Sequence, residues 1–217
     1  MILKTLTAVL LGCTLSLSAV ADIQENAGAQ LNSLLAGFES FSADFNQVSG
    51  SEDSRRMEES RGTLLLAKPN RFSWTALEPF PQTLVSDGET LWIYDPDLEQ
   101  ATRRQVSGKD TGIPALILNG QIDELQAEYK IRLLQEKDNN QLFELLPIDE
   151  ASVFTRIRLL FTDGLIKELQ MGDSLGQRTS ILFENQIINP VFSDDAFNFE
   201  PPEGTDVIVE NQAESAD

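Results

Sequence analysis

The chain has 217 residues, of which 16 are basic and 35 acidic, so its formal net charge is −19. A surface this acidic repels nucleic acid and anionic lipid head groups, which argues against a nucleic-acid-binding function. The sequence contains no histidine and a single cysteine, which excludes Ser-His-Asp triads and the usual zinc or copper sites, and we expect no cofactor.

Residues 1–21 have the pattern of a secretory signal. A lysine is followed by an apolar run that is too short to span a bilayer, which takes about 20 residues, and the segment ends in Ala-Val-Ala. We therefore predict an exported protein that is cleaved after Ala21. A single domain would then occupy residues 22–210, and the polar residues 211–217 would form a disordered tail.

Cys13 allows a second interpretation of this segment, because the Leu-Leu-Gly before it loosely resembles a lipobox. Cys13 would then be lipidated, and the protein would be anchored to a membrane. The residues after Cys13 remain apolar where a lipoprotein would carry a polar tether, so cleavage after Ala21 is favoured. That cleavage removes the only cysteine and leaves a mature chain without disulfides.

Residues 22–38 predict an amphipathic helix. Its apolar side chains recur every three or four positions and are Ile23, Ala27, Leu31, Leu34, Leu35 and Phe38. Taken alone, such a helix is explained as an ordinary surface helix packed on a sheet.

The chain from Phe41 onward predicts a β-sheet of about ten or eleven strands. Apolar residues alternate with polar ones, and turn signals such as Asp87-Gly88 and Asp163-Gly164 follow at short intervals. The strand segments are 41–47, 61–69, 71–77, the hairpin 83–95, 100–106, 129–134, 141–146, 154–161, 165–171, 178–187 and 206–209.

Residues 113–118 and 122–128 interrupt the sheet pattern with helical segments. Pro114 suits the first turn of a helix, and Gly120 suits its end. Helical material inside a meandering sheet predicts a cover over one opening of that sheet. The fold class is therefore mainly β (α+β), with one helix before the sheet and one or two in its middle.

A single sheet of ten or eleven strands must curl, and it then encloses more room than its own side chains fill. Large apolar residues lie along it, with Leu64 and Leu66 on one strand, Phe72 and Trp74 on the next, and Trp92 further on. Each of these side chains taken alone is explained as core. Together, under an amphipathic helix, they predict a hydrophobic ligand site.

Lys68 ends a strand of leucines beside Pro69, and a cation without partners is not expected to face an apolar interior. Its ammonium either lies outside in water or reaches carbonyl groups of the helical cover and holds the cavity shut. The sequence alone favours the first placement.

Three motifs resemble those of the LolA family of outer-membrane lipoprotein carriers. Residues 62–74, 84–96 and 197–204 read GTLLLAKPNRFSW, LVSDGETLWIYDP and FNFEPPEG. With Phe38 and residues 41–47 they extend the resemblance over nearly the whole mature chain. It implies an incomplete, strongly curved antiparallel β-barrel with a helical lid, in which the acyl chains of a lipoprotein enter between lid and sheet.

The apolar pattern of the strands and the resemblance together predict which side chains form the lipid-binding cavity. They come from both sheet and lid and are Phe38, Phe45, Leu64, Leu66, Phe72, Trp74, Leu84, Trp92, Leu116 and Ile117. In that family an arginine beside the proline of this strand bonds lid backbone in the closed form. Lys68 occupies the position here, and it keeps the charge of a lid latch without the forked donors of arginine.

The function implied is that of a periplasmic carrier and not of an enzyme. Acylated lipoproteins would be its cargo, an inner-membrane LolCDE-type ABC transporter their source, and an outer-membrane LolB-like receptor their acceptor, with the carrier a monomer. The alternative is an outer-membrane receptor or a lipid-sensing regulatory domain on the same fold. Carboxylate pairs such as Glu58 with Glu59 and Asp194 with Asp195 are explained as solvated loop charges and not as a hydrolase site.

Overall fold

The computed structural model describes residues 16–51, 57–106, 117, 120–193 and 195–210, with the side chains of the first helix described from residue 26. The expectations for Cys13, Leu116, Asp194 and the tail 211–217 fall outside these residues. Among the described residues, the helices are α1 (Ser16–Leu35) and α2 (Ile122–Glu128). Ile117 is also helical and belongs to the segment that the sequence predicts as a helix.

Twelve strands are present in the described part of the chain, and they form one sheet. The strands are β1 (Ser40–Ser51), β2 (Glu58–Ala67), β3 (Arg71–Glu78), β4 (Gln82–Asp87), β5 (Thr90–Asp95), β6 (Gln100–Gln105), β7 (Tyr129–Lys137), β8 (Asn140–Pro147), β9 (Phe154–Thr162), β10 (Leu165–Asp173), β11 (Gln177–Ile188) and β12 (Asp206–Glu210). The number slightly exceeds the ten or eleven expected, because the predicted hairpin 83–95 supplies two separate strands.

The strand order is β12-β6-β5-β4-β3-β2-β1-β11-β10-β9-β8-β7, so β12 and β7 form the two edges of a curled, open sheet. Only the β12–β6 pair of this order is parallel, and the others are antiparallel. The open order of a mainly β sheet with helices against one face confirms the predicted fold class.

Helix α1 packs against β7 and α2 on the concave face of the sheet. Its buried stripe, Ala27, Leu31 and Leu35, repeats every four residues as the sequence predicts. The helix ends at Leu35, three residues before the predicted end at Phe38. At Gly28 the side-chain amide of Gln126 from α2 lies directly against the backbone of α1.

The hydrophobic core lies between α1 and the concave face. Residues that pair directly across antiparallel strands share a face, and alternate residues of each strand therefore reach the core. The core residues from β8 to β11 are buried and include Phe143, Leu145, Ile157, Leu159, Phe161, Leu169, Ile181 and Phe183.

The segment between β11 and β12 covers part of the outer face. The side-chain oxygen of Asn189 accepts a 2.7 Å hydrogen bond from the backbone N–H of Glu39 and so fixes the start of this segment. Phe197 is buried at 4% exposure, with the guanidinium of Arg71 5.4 Å from the centre of its ring. The chain then joins the sheet edge as β12, where the N–H of Asp206 donates to the carbonyl of Glu99.

Candidate functional site

A stacked aromatic pair lies on the concave face where β1, β2 and β3 adjoin. The ring centroids of Phe45 and Trp74 are 3.9 Å apart, with their planes inclined by 24°. Gly62 lies beneath this pair, and a Cβ on it would come 2.7 Å from the ring of Phe45 and would overlap the backbone oxygen of Thr75. A glycine on β2 therefore allows the two rings to lie flat against the sheet.

Most of the predicted cavity residues gather around this pair. Those that share its cluster are Phe38, Leu64, Leu66 and Ile117. Phe72 and Leu84 form an adjoining cluster with Leu91, and Trp74 packs against both clusters. The two clusters thus form a continuous apolar surface from β1 to β5 on the concave face.

Trp92 is separated from this surface. It pairs with Val85 on β4 and with Arg103 on β6, whereas Leu84 pairs with Ile93. Because successive residues of a strand point to opposite faces, Trp92 lies on the outer face. There its ring centre is 5.6 Å from that of Phe199 in the covering segment. Sequence alternation places Leu91 and Trp92 on opposite faces of the hairpin, but it does not show which of the two faces forms the site.

Lys68 ties the turn after β2 to the end of α1. Its ammonium donates hydrogen bonds of 2.7 Å to the carbonyl oxygens of both Leu35 and Phe38, and it lies 4.3 Å from the centre of the Phe38 ring. Leu35 is the last residue of α1, where the helix dipole favours a cation. Of the two placements that the sequence allowed, Lys68 takes the one that reaches helix carbonyls.

Gly120 lies close to the same ammonium and to Leu35. It has a φ of +70°, and a Cβ there would be 3.5 Å from the Lys68 nitrogen. Burial lowers the pKa of Lys68 from its usual value of 10.5, while the negative charge of Glu39 opposes that shift. Lys68 is therefore close to both the end of α1 and the turn that follows Ile117, the two elements that cover the concave face.

The cover fills the concave face in this structure. Leu31 and Leu35 of α1 and the side chain of Ile117 are each 0% exposed and belong to the same cluster as Phe45 and Leu64. The sequence pattern of residues 22–38 could locate the two leucines. It could not show that Phe38 contributes a carbonyl to Lys68, because backbone groups leave no pattern in the sequence.

The carboxylates noted in the sequence at Glu58, Glu59 and Asp195 lie at the surface. No group of three or more Asp, Glu, His or Cys residues able to hold a metal ion is found among them. Glu58 and Glu59 are exposed, and hydrogen bonding from Ser193 lowers the pKa of the exposed Asp195 carboxyl. Within the same residues, no helix has the length and hydrophobicity needed to cross a membrane.

Comparisons with known proteins agree with this geometry. Residues 36–200 match the family model described as outer membrane lipoprotein carrier protein LolA. The chain is 37% identical over 203 residues to the outer-membrane lipoprotein carrier protein of Chromohalobacter salexigens, covering 94% of this chain and 96% of that one. It is 37% identical over 197 residues to the protein of the same name from Hahella chejuensis, covering 90% and 94%.

A solved structure supports the fold alone. An uncharacterized conserved protein from Thermus thermophilus superposes with a TM-score of 0.52 at 11% identity, covering 90% of this chain and 99% of that one.

Proposed function

The chain belongs to the LolA family of outer-membrane lipoprotein carrier proteins, and we propose that it binds the acyl chains of lipoproteins on the concave face of its sheet and carries them across the periplasm. The observation that carries this proposal is the continuous apolar surface around Phe45 and Trp74, with Leu31 and Leu35 of α1 and Ile117 in the same cluster. The names of the relatives favour a carrier over a receptor or a regulatory domain on the same fold.

The physical need for such a carrier follows from the cost of exposing hydrocarbon to water. Each buried methylene contributes about 0.8 kcal/mol, so a single sixteen-carbon chain costs on the order of 12 kcal/mol to expose. Unaided transfer between membranes is therefore negligible. A carrier must match most of this energy with its own apolar surface and must still release the chain.

The cover supplies a mechanism for release. Leu31, Leu35 and Ile117 occupy the concave face in the closed arrangement, so cargo must displace them. The net affinity is then the difference between two apolar contacts with the same surface, that of the lipid and that of the cover. Such competition keeps the affinity low enough for cargo to be handed on.

Lys68 acts in this proposal as the latch of the cover. Two hydrogen bonds from one ammonium hold the end of α1 in the closed arrangement, and they must break when α1 moves away from the sheet. The predicted role of the family's arginine is thus taken by a lysine that uses separate donors for separate carbonyls.

The partners follow from the same role. An inner-membrane LolCDE-type ABC transporter would supply acylated lipoproteins, and an outer-membrane LolB-like receptor would accept them. The family is one of non-catalytic carriers, and we propose that this chain works likewise without an enzymatic step, as a monomer with one domain in residues 22–210.

The test is release of a labelled outer-membrane lipoprotein from spheroplasts that are given the purified mature protein. We expect a soluble one-to-one complex of lipoprotein and carrier. A known carrier serves as the control for a competent transporter. If that control releases the lipoprotein and this protein does not, the carrier role is refuted.

A further inference from the structure

The outer face of β8–β11 carries a cluster of arginines in an otherwise acidic protein. Glu144, Arg158, Gln170 and Ser180 pair in succession across β8, β9, β10 and β11 and therefore share the outer face. In the neighbouring row, Arg156 and Arg178 both pair with Gly172. Since glycine has no side chain, the two arginines flank a gap.

Glu144 fixes two of these arginines. It is 7% exposed, although its side chain points to the outer face. Its carboxylate oxygen accepts hydrogen bonds of 3.2 and 3.1 Å from Arg158 and lies 3.4 Å from the Nε of Arg156. The side chains of Arg156 and Arg158 remain 55% and 36% exposed. A guanidinium has five N–H donors, so both keep donors that face solvent in a fixed orientation.

The arginines line a groove. A hollow of about 510 Å³ contains Arg156, Arg158 and Arg178 in its wall, together with Gln170 and Ser180. A second hollow of about 320 Å³ shares Arg158 and Gln170 with the first and adds Leu142 and Leu160. The two adjoin and cross β8–β11, a width of about 14 Å at the usual strand spacing, which matches about four extended residues.

We propose that this groove, which we call the arginine groove, binds an acidic, extended segment of a partner protein. Three guanidinium groups in its wall outnumber the two carboxylates, those of Asp173 and Glu168. Amide, hydroxyl and leucine side chains lie between them, which suits an acidic peptide with some apolar residues. Arginine forks match carboxylates in geometry as well as in charge. The shape favours a chain segment, because a single small anion would fill only a fraction of either hollow.

Charge selects a peptide over a membrane. The formal net charge of −19 repels a continuous anionic bilayer, and these three arginines are among only 16 basic residues. A narrow acidic segment can enter the groove without bringing an extended anionic surface close to the rest of the protein. The groove lies on the face opposite the acyl-binding surface, so its occupancy does not depend on the proposed function.

Binding of a fluorescent peptide of alternating glutamate and serine, followed by anisotropy with the full mature protein at low salt, tests the proposal. We expect Arg178→Gln to weaken binding by about fivefold or more, because a charge-assisted contact is lost. Arg158→Gln should act likewise, but it also removes a partner of buried Glu144. Arg178→Gln is therefore the decisive variant, since it leaves both partners of Glu144 in place.

Arg61→Gln is the matched control. It removes the same charge from the same face of the sheet, at an exposed ion pair with Glu78 outside the groove. We expect it to change peptide affinity by less than about twofold, as for a surface charge. Equal weakening by Arg61→Gln and Arg178→Gln, or the absence of peptide binding to the wild type, would overturn the proposal.

Vesicles of phosphatidylglycerol and phosphatidylcholine provide the second arm. We expect Arg178→Gln to leave the binding of the protein to these vesicles unchanged. Vesicle binding that requires Arg178, without peptide binding, would make a lipid surface the occupant and would also overturn the proposal. The Arg178→Gln variant should still release labelled lipoprotein from spheroplasts, because its acyl-binding surface is unchanged. This measurement distinguishes a failure of the arginine groove proposal from a failure of the carrier role.

Discussion

The ammonium of Lys68 lies 2.7 Å from the carbonyl oxygen of Leu35, the residue at which helix α1 ends. The same ammonium binds the carbonyl of Phe38, so one side chain fixes both the end of the helix and the start of the chain that leads into β1. This contact joins α1 to the turn after β2, and no backbone pairing of strands holds the helix to the sheet. The closed state therefore depends on a small number of polar contacts and on apolar packing.

Lys68→Met should loosen α1 without removing the aliphatic packing of the side chain. Two carbonyl groups lose a charged donor, and we expect a loss of about 1–2 kcal/mol in the free energy of unfolding, at the lower end because the site is partly exposed. Urea unfolding measures this loss, and amide hydrogen exchange should become faster in α1 but not in β9 or β10. Lys68→Arg, which restores donors, is the control. Unchanged exchange in α1 of Lys68→Met would show that Lys68 is not a latch.

The lowered pKa of Lys68 gives the latch a dependence on pH. The folded protein loses this proton at lower pH than the unfolded chain, which releases it near 10.5. Between the folded pKa and 10.5 the unfolded state binds more protons, so stability should rise with pH in that window. Urea unfolding of the wild type relative to Lys68→Arg isolates the effect, since arginine does not titrate there. If the free energy of unfolding of the wild type, relative to that of Lys68→Arg, fell as the pH rose through this window, the pKa of Lys68 would not be lowered by folding.

Gly62→Ala should disturb the stacked pair of Phe45 and Trp74. The added Cβ would come 2.7 Å from the Phe45 ring and would overlap the Thr75 backbone oxygen, so the rings or the strands must move. We expect destabilisation of about 1–3 kcal/mol, as for other overpacked cores. Gly172→Ala is the matched strand control, because its Cβ would meet Thr155 at an ordinary 3.6 Å. If Gly62→Ala and Gly172→Ala had the same free energy of unfolding, the Phe45 ring would not lie against Gly62.

Phe72→Glu should block acceptance of lipoproteins, because it introduces a carboxylate into the apolar surface next to Leu91 and Trp74. Phe72→Leu keeps the surface apolar and should retain most of the transfer. Spheroplast release measures both, with circular dichroism to select conditions in which the variants are folded. Normal transfer by a folded Phe72→Glu variant would remove Phe72 from the binding surface.

Local patterns in the sequence predicted the strands well, because the alternation of side chains and the Asp-Gly turns act within a few residues. They did not assign Trp92 to a face. That assignment depends on the segment around Phe199, which crosses the outer face more than 100 residues later in the chain and covers apolar residues there. When other parts of the chain cover both faces of a sheet, an apolar residue in a strand can therefore lie on either face.

Lys68 shows a different limit of sequence reasoning. Its partners are backbone carbonyls at the end of a helix, and every helix end offers such groups whatever its sequence. The general rule against buried cations favoured an outward placement, yet two carbonyls and the Phe38 ring compensate for the partial loss of water. The arginine groove was equally hidden, because Glu144, Arg156 and Arg178 come together only through the pairing of four strands.

The positions of the two tryptophans allow the most direct test of where acyl chains bind. The chain contains only Trp74, on the concave face, and Trp92, on the outer face, so Trp92→Phe and Trp74→Phe each leave one reporter. A lipopeptide with brominated acyl chains quenches tryptophan on contact. We predict strong quenching of Trp74 in the Trp92→Phe variant and little quenching of Trp92 in the Trp74→Phe variant. Quenching of Trp92 alone, or equal quenching of both, would contradict binding of acyl chains on the concave face.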